Sequence, residues 1–356
     1  MSIQDLTRHA LSEWMRGEAP DSDVVISSRV RLARNLTSQP FPLLATTTQA
    51  TAILEQIKEI DLSQKHSEQS FELIELNQLT ELQKRVLVEK HLISPNLVND
   101  SRAGAVILNK NQSISIMINE EDHLRIQCLY PGFQLEEAWN LANKIDDTFE
   151  EAVEYAYDET KGYLTTCPTN VGTGLRASVM MHLPALVITQ QINRILSAVT
   201  QVGLAVRGLY GEGSEALGNI FQVSNQITLG QSEEEIINNL YSVVKQIIEH
   251  EKAARQRLLN ESLKRLEDRI YRSYGVLKYA IIIDSKEAAQ RLSDIRLGID
   301  LGMLSHLPQH VAQELMIMTQ PGFLQQTFSE KLLPEERDIR RAELIREYLL
   351  SYDGKA

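Results

Sequence analysis

One stretch limits the fold of this chain more than any other: Cys167-Pro168-Thr169-Asn170-Val171-Gly172-Thr173-Gly174-Leu175-Arg176, continued by Ala177-Ser178-Val179-Met180-Met181-His182-Leu183. A proline, two glycines and small polar residues make a turn-rich loop. The run from Arg176 onward has period two. Arg176, Ser178, Met180 and His182 then share one face of a strand, and Ala177, Val179, Met181 and Leu183 share the other. The chain therefore needs a sheet, with a loop that delivers an arginine onto it and a cysteine at the loop's mouth. Glycine loops expose N–H donors and arginine forks onto phosphate oxygens, so a phosphate site is one reading. A structural turn with a buried cysteine is the other. No Gly-Lys-Ser/Thr follows, so this is not a Walker loop.

A chain of 356 residues has room for two domains and a large core. No apolar run is long enough to span a membrane. Asp5, Glu13 and Glu18 interrupt the first twenty residues, which rules out a signal peptide. Cys128 and Cys167 are the only cysteines, so a disulfide framework is excluded and the expected compartment is the cytoplasm. A net charge of -12 argues against general nucleic-acid binding.

Along the chain, residues 1–20 read as a short helix around Leu11, Trp14 and Met15. In the run from Asp23 to Asn35, Val24, Ile26, Val30 and Leu32 fall on one strand face, and Ser27, Arg29 and Arg31 on the other. Two arginines so spaced form a rigid clamp for an anion; an edge strand with solvated arginines fits the same pattern. Residues 47–62 read as helix, Phe71 to Leu76 as strand, and Leu82 to His91 as a helix stopped before Pro95. Gly104 to Ile118 reads as a hairpin that runs into Asn119-Glu120-Glu121-Asp122-His123-Leu124-Arg125. Three adjacent carboxylates repel one another, so they are either solvated or aimed at cations. Helices are expected from Leu135 to Tyr157 and from Pro184 to Val202, then a buried strand Leu204 to Arg207, a loop with three glycines around Glu212, and a strand Ile220 to Thr228. From Ser232 long helices take over, with Ile236, Leu240, Val243 and Ile247 in a stripe, and Gly275, Pro308, Pro321 and Pro334 as breaks. The change from strand-rich to all-helical sequence places a boundary near residue 255.

Arg29, Arg31, Arg125, Arg176 and Arg207 all stand at strand ends, and Glu121 and Glu212 lie on loops joined to those strands. If the arginines meet, they need a polyanion, and ATP with its metal is the obvious one. Carboxylates beside such a site attract a cation, and a guanidinium matches them in forked, planar geometry. Residue chemistry thus suggests phosphoryl transfer from ATP to a guanidino nitrogen.

Ser27-Ser28-Arg29-Val30-Arg31, the Asn119 to Arg125 run, Cys167-Pro168-Thr169-Asn170-Val171-Gly172-Thr173 and the stretch Arg207-Gly208 through Gly211-Glu212 resemble the motifs of phosphagen kinases. Over nearly the whole chain the sequence is similar to bacterial protein-arginine kinases of the McsB type. That resemblance implies an α+β fold: a mainly antiparallel sheet flanked by helices, the glutamine-synthetase-like core, over about residues 24–254, plus an all-helical C-terminal domain at 256–356. It implies that the five arginines clamp the ATP phosphates, with His91 near the nucleotide and Mg²⁺ held through the phosphates rather than by protein ligands. It extends the nucleotide contacts to Ser27, Ser28 and Val30, to Ala177, Ser178, Val179 and Met180, and to Gly208, Leu209, Tyr210 and Gly211. Glu121 would orient the acceptor guanidinium and take its proton, Glu212 would hold the opposite side, and Cys167 would lie against the guanidinium as a thiolate.

Phosphagen kinases acting on free guanidines carry a helical domain of about a hundred residues before the first arginine pair, the size of a small domain, whereas here Arg29 comes almost at once. The resemblance thus favours a protein side chain as acceptor. In the C-terminal part, Arg337-Asp338-Ile339-Arg340-Arg341-Ala342 sets Arg337 and Arg341 one helical turn apart, with Asp338 three from Arg341. By the resemblance this is an allosteric phosphoarginine pocket; a salt-bridged helix face is the plain alternative. The resemblance also implies a homodimer and partners in a bacterial stress response: a heat-shock repressor as substrate, a zinc-binding activator and the Clp protease machinery. Two further readings stay open, a free-guanidine kinase and a non-catalytic reader of phosphoarginine.

Overall fold

The computed structural model describes residues 9–12, 15, 19–66, 69–208 and 217–353. The helix expected over residues 1–20 falls largely outside them. The strands in chain order are β1 Val25–Arg34, β2 Phe71–Glu75, β3 Ala105–Asn109, β4 Ile114–Ile118, β5 Leu124–Pro131, β6 Tyr157–Asp158, β7 Gly162–Tyr163, β8 Leu175–His182, β9 Leu204–Gly208 and β10 Ile220–Asn225. Eight of them form one sheet in the order β2-β3-β4-β5-β1-β8-β10-β9, and every pairing in it is antiparallel.

Alternation along these strands sorts the sheet into two faces. Val30 and Leu32 of β1, Ile126 and Cys128 of β5, Ala177 and Val179 of β8 and Val223 of β10 share a face and are buried in one core. Each valine, leucine and isoleucine among them contributes about 1.5–3 kcal/mol by leaving water. Helices α1 Thr47–Lys58, α2 Leu62–Lys65, α3 Glu81–Glu89, α4 Pro95–Asn99, α5 Leu135–Glu150, α6 Pro184–Ile188, α7 Ile192–Gln201 and α8 Glu233–Glu261 follow between and after the strands. α5 and α8 lie on the apolar face, against β5 and β1 and against β8 and β10 respectively. On the other face, Leu87, Leu92 and Leu97 cover Ile74, Val106, Leu108 and Met117 of β2, β3 and β4.

β1 is an inner strand, paired on both sides, so the edge-strand reading of Arg29 and Arg31 is overturned. The strand expected to be buried, Leu204 to Arg207, is instead the outermost one, with half-buried side chains at its middle. The helix expected from Pro184 to Val202 is broken into α6 and α7 at Gln190, whose φ is +58°. α5 ends at Glu150, short of the expected Tyr157. α3 ends at Glu89, because His91 takes a left-handed φ of +59° and the Leu92 N–H returns to the Leu87 carbonyl at 3.0 Å.

α8 starts with Ser232 and Glu235 capping each other's backbone, followed by Glu233 and Glu234 at its positive end. Val244, rather than Val243, joins its buried stripe. The helix runs unbroken past residue 255 and is interrupted at Ser262. Beyond it lie α9 Leu263–Tyr279, α10 Ser285–Asp300, α11 His310–Met318, α12 Pro321–Phe328 and α13 Pro334–Asp353. Gly275 sits inside α9 and breaks nothing. The helical part meets the sheet part through polar ties: Arg296 donates to the carbonyl of Ser22 in the turn before β1 at 2.9 Å, and Nε2 of His182 at the end of β8 lies 2.8 Å from Ser293 Oγ.

Candidate functional site

Register decides which side chains share the open face of the sheet. Arg31 lies opposite Arg176 on one side and Gln127 on the other, and Arg29 lies opposite Ser178. Arg125 is two positions from Gln127 on β5, and Arg207 lies opposite Gln222, itself opposite Met180. Since side chains alternate, all five arginines project from the same face.

Arg29 Nε donates to Ser178 Oγ and Arg29 Nη2 to Gln222 Oε1, both at 3.2 Å. Burial, and then the charges of Arg125 and Arg176, pull its guanidinium down from its ordinary value to about 10. Arg31 is pulled well below its ordinary value by burial first and then by Arg29, Arg125 and Arg176, with Glu120 partly offsetting them. Arg31 Nε is buried and has no hydrogen-bond partner among the described residues. Crowded like charges with a buried donor left over fit a polyanion such as a triphosphate. Among the described residues no group of His, Cys, Asp and Glu is arranged to hold a metal ion.

The three carboxylates after β4 divide their work. The Glu120 side chain is fully buried; its Oε1 accepts from Arg125 Nη1 at 2.6 Å and from Ser94 Oγ at 2.5 Å. Asp122 is buried and its Oδ1 accepts from Asn35 Nδ2 and from the Thr166 N–H, each at 2.7 Å. Glu121 between them is half-buried, with Oε2 3.6 Å from Arg125 Nη2. Burial raises its carboxyl above the usual value, Arg125 works against that, and Glu120 and Asp122 add to it. The solvated-turn reading therefore fails for Glu120 and Asp122. Asp122 also ties the acidic turn to the Cys167 loop, so Glu121 and Cys167 each stand next to a residue of the bonded pair Asp122–Thr166.

The Cys167 loop is held by its own backbone. Asn170 N–H bonds to the Cys167 carbonyl, Gly172 to Tyr163, Thr173 to Thr228 and Gly174 to Asn170. Leu175 N–H bonds to Thr173 Oγ1. These N–H groups are taken up, so the loop from Asn170 to Leu175 is not a phosphate cradle; the arginine it delivers remains the functional part. Gly172 has φ +113°, and a Cβ there would meet the Thr228 carbonyl at 2.2 Å, so only glycine fits. Cys167 is half-exposed rather than buried, with Sγ 3.0 Å from Thr169 Oγ1. The other cysteine, Cys128, lies in the core, where burial pushes its thiol up.

His91, turned by its left-handed backbone, receives Gln127 Nε2 on its carbonyl at 2.9 Å. Burial, with Arg29 nearby, lowers its ring to about 4, so it is neutral at physiological pH. Leu209, Tyr210, Gly211 and Glu212 lie outside the described residues; Gly208 ends β9. Among the remaining expected contacts, Ser28 is buried, and its Oγ donates to the Gly132 carbonyl at 2.9 Å, while Val30, Ala177 and Val179 belong to the core on the opposite face. Those three cannot present side chains to a nucleotide on the arginine face.

On α13 the expected face of Arg337 and Arg341 is not symmetrical. Arg341 is 3% exposed; Nη1 donates to Asp338 Oδ1 at 2.5 Å and to the Ile283 carbonyl at 2.9 Å, and Nε donates to the Thr319 carbonyl at 3.2 Å. Arg340 pairs with Glu343 at 2.8 Å, Ala342 is buried and Ile339 is exposed.

Two supports escaped the sequence reading. Arg34 is 1% exposed, donates from Nη2 to Asp146 Oδ2 at 2.6 Å and from Nη1 to the Thr173 carbonyl at 2.8 Å, and stacks 3.6 Å from the Tyr163 ring centroid. It pins the Cys167 loop from beneath. Gln222 receives Arg29 across two strands. A polar Asp146 on the apolar stripe of α5 was the available signal for the first; nothing local marked the second.

Comparison with known proteins agrees with this geometry. Residues 41–254 match the family described as ATP:guanido phosphotransferase, C-terminal catalytic domain, and residues 263–356 match the protein-arginine kinase McsB C-terminal domain. A protein-arginine kinase of Halalkalibacterium halodurans is 61% identical over 97% of this chain and 97% of that protein. One of Brevibacillus brevis is 59% identical over 98% of each. Among solved structures, the duplicated taurocyamine kinase of Schistosoma mansoni with bound transition-state-analogue components superposes with a TM-score of 0.60 at 25% identity, over 67% of this chain and 34% of that one. A lombricine kinase gives 0.54 at 25% identity, over 70% and 75%.

Proposed function

The chain belongs to the protein-arginine kinase branch of the ATP:guanido phosphotransferase family and is an enzyme that transfers the γ-phosphate of ATP to arginine; we propose that the acceptor is an arginine side chain of another protein. The observation that carries the site assignment is the single-faced, mutually repelling cluster of Arg29, Arg31, Arg125 and Arg176 beside half-buried Glu121.

In this reading the cluster binds the triphosphate and spreads the charge of the transferring phosphoryl group. When bound with the nucleotide, Mg²⁺ would supply further charge neutralisation beside the arginine cluster. An arginine guanidinium keeps its proton far above physiological pH, so its nitrogen is a poor nucleophile until a proton leaves. Glu121 accepts that proton as the N–P bond forms and the bond from phosphorus to the departing ADP oxygen breaks. Its burial-raised carboxyl suits a base better than an exposed glutamate would. Glu120 and Asp122 hold Glu121 and the Cys167 loop in place, and Cys167 lies beside the guanidinium. Glu212 takes the opposite side of the acceptor. The product side chain changes from positive to negative, which breaks arginine–phosphate contacts and marks the protein for recognition.

Resemblance also supports a heat-shock repressor among the substrates, a zinc-binding activator, the Clp protease machinery, a homodimer, a cytoplasmic setting and activation by phosphoarginine through the Arg337–Ala342 helix. No helix among the described residues is long and apolar enough to cross a membrane. Steady-state rates with an arginine-containing protein, free arginine and creatine test the acceptor class. The protein acceptor is expected to have by far the largest kcat/KM; comparable turnover of free arginine would favour a free-guanidine kinase.

A further inference from the structure

Apolar side chains left singly on a surface need no explanation; a set gathered in one place does. Before the helical C-terminal part, the large apolar side chains that stay exposed among the described residues are Leu43, Leu44, Tyr157, Val202, Ile227 and Leu229. All of them lie at one end of the eight-stranded sheet. Leu43 and Leu44 follow the end of β1, Val202 precedes β9, and Ile227 and Leu229 follow the end of β10. Tyr157 belongs to the segment whose Ala156 N–H bonds to the carbonyl of Asn35, just past β1. Glu121 and Cys167 stand at that same end, before β5 and β8, since Leu124 pairs with Arg34 and Leu175 with Leu32.

Two of these groups are built into the site. Leu43 and Leu44 ride a turn in which the Leu44 and Ala45 N–H groups bond to the Phe41 carbonyl at 2.8 and 3.0 Å. Arg102 Nη1 donates to the Ala45 carbonyl at 2.6 Å, and the Pro40 carbonyl lies 3.1 Å from His123 Nε2, with the Phe41 ring edge-on to the same imidazole. His123 is two residues from Glu121. The turn is therefore fixed against the acidic run, yet its two leucines are 74% and 78% exposed. On the other side Thr228 is buried, its Oγ1 lies 2.9 and 2.7 Å from the Thr169 and Val171 carbonyls, and its own carbonyl accepts the Thr173 N–H at 3.0 Å. Its neighbours Ile227 and Leu229 are thereby set beside the Cys167 loop with their side chains in water.

These two shoulders flank the end that carries the carboxylate and the thiol. The acidic turn before β5 and the loop after β10 are three strand spacings apart in the sheet order, about 14 Å, the length of about four extended residues. A chain that brings one arginine to Glu121 lays its neighbouring residues over both shoulders, and apolar neighbours then take Leu43, Leu44, Ile227 and Leu229 out of water.

We propose that the shoulders are the docking surface for the acceptor protein, and that they select an extended segment whose arginine has apolar side chains about two or three positions away on either side. This rests on the assignment of Glu121 to the acceptor end, and it names the acceptor sequence which that end prefers.

Two peptides of equal length and charge test it. Each has one arginine, flanked at the second and third positions on both sides by leucine in one peptide and by serine in the other. Initial rates with Mg-ATP on the full chain give kcat and acceptor KM for wild type, for Leu43→Ser with Leu44→Ser, and for Ile227→Ser with Leu229→Ser. Wild type is expected to favour the leucine peptide about a hundredfold in kcat/KM, through KM, about tenfold from each shoulder. Each double variant is expected to cut that preference about tenfold, with the KM for ATP and the melting temperature of wild type. Equal kcat/KM for the two peptides in wild type, or a full preference in both double variants, overturns the proposal. So does a change of oligomeric state in the variants with acceptor KM unmoved, which would assign the surface to a second copy of the chain. Undiminished transfer by Glu121→Gln would remove the acceptor site itself, and the proposal with it, whatever the peptide preference.

Discussion

Arg29→Met sets function against stability in a way that the structure lets us size. The fall of the Arg29 guanidinium from its ordinary value to about 10 corresponds to about 3 kcal/mol against its charged form in the fold. Arg29 keeps some contact with water, and screening leaves about 2 kcal/mol of that. Methionine removes the charge while filling much of the same space. It also gives up the bonds to Ser178 and Gln222, which with a charged donor are worth at least about 1.5 kcal/mol each. The two effects nearly cancel, so the variant without nucleotide is expected to lie within about 1 kcal/mol of wild type. Mg-ATP at about a hundred times its Kd should stabilise wild type by about 2.7 kcal/mol and leave the variant unmoved. Urea denaturation with and without Mg-ATP reads both quantities. A variant destabilised by 2 kcal/mol or more without nucleotide would refute the reasoning, because it would mean that the cluster is satisfied internally rather than kept for an anion.

Other expectations follow from neighbouring groups. Glu121→Gln should lower kcat by about 10² to 10⁴. In wild type, kcat should fall as pH drops through a value above the 4.5 of an ordinary glutamate, since the raised carboxyl takes its proton early and can then accept no other; a pH–rate profile showing its acid limb below 4.5 would remove Glu121 as the base. Arg34→Met should cost about 3–5 kcal/mol because Asp146 stays buried without its partner, and Arg34→Met combined with Asp146→Leu should recover most of it in chemical denaturation. On α13, Arg341→Ala should destabilise the chain, since two backbone carbonyls and Asp338 lose a buried donor. Arg337→Ala should leave the melting temperature in place and reduce activation by phosphoarginine-bearing protein; unchanged kinetics would remove the allosteric role.

Period-two alternation made the two faces of β8 and of β1 from Ser28 onward legible, because a one-residue slip would bury every arginine; the expected placing of Ile26 with Val30 and Leu32 failed, since a register shift between Val25 and Ser27 sets Ile26 with Met180 and Ile220 instead. It did not give the order of strands, and so left β1 readable as an edge. Pairing partners are a tertiary fact: Arg31 meets Arg176 across 145 positions of sequence that no local pattern connects. The acidic run was visible, but not which of Glu120, Glu121 and Asp122 stays available. That depends on Ser94, Asn35 and the Thr166 N–H arriving from three other segments. Glycines misled in both directions. Those of the Cys167 loop suggested free N–H donors that the fold takes up, and Gly275 suggested a break that neighbouring helical packing overrides. Glu89, whose carboxylate accepts the Gly322 and Phe323 N–H groups at 2.7 and 3.0 Å, had no signature, since these partners are backbone groups more than two hundred residues away.

Mass spectrometry at neutral pH, on an arginine-containing test protein incubated with Mg-ATP and either the wild type or Glu121→Gln, bears most directly on the adjoining arginine cluster and carboxylate. The account predicts phosphorylated arginine with the wild type and none with a variant that still binds ATP. Arginine phosphorylation undiminished in that variant, or a wild-type product on serine or threonine alone, would contradict it.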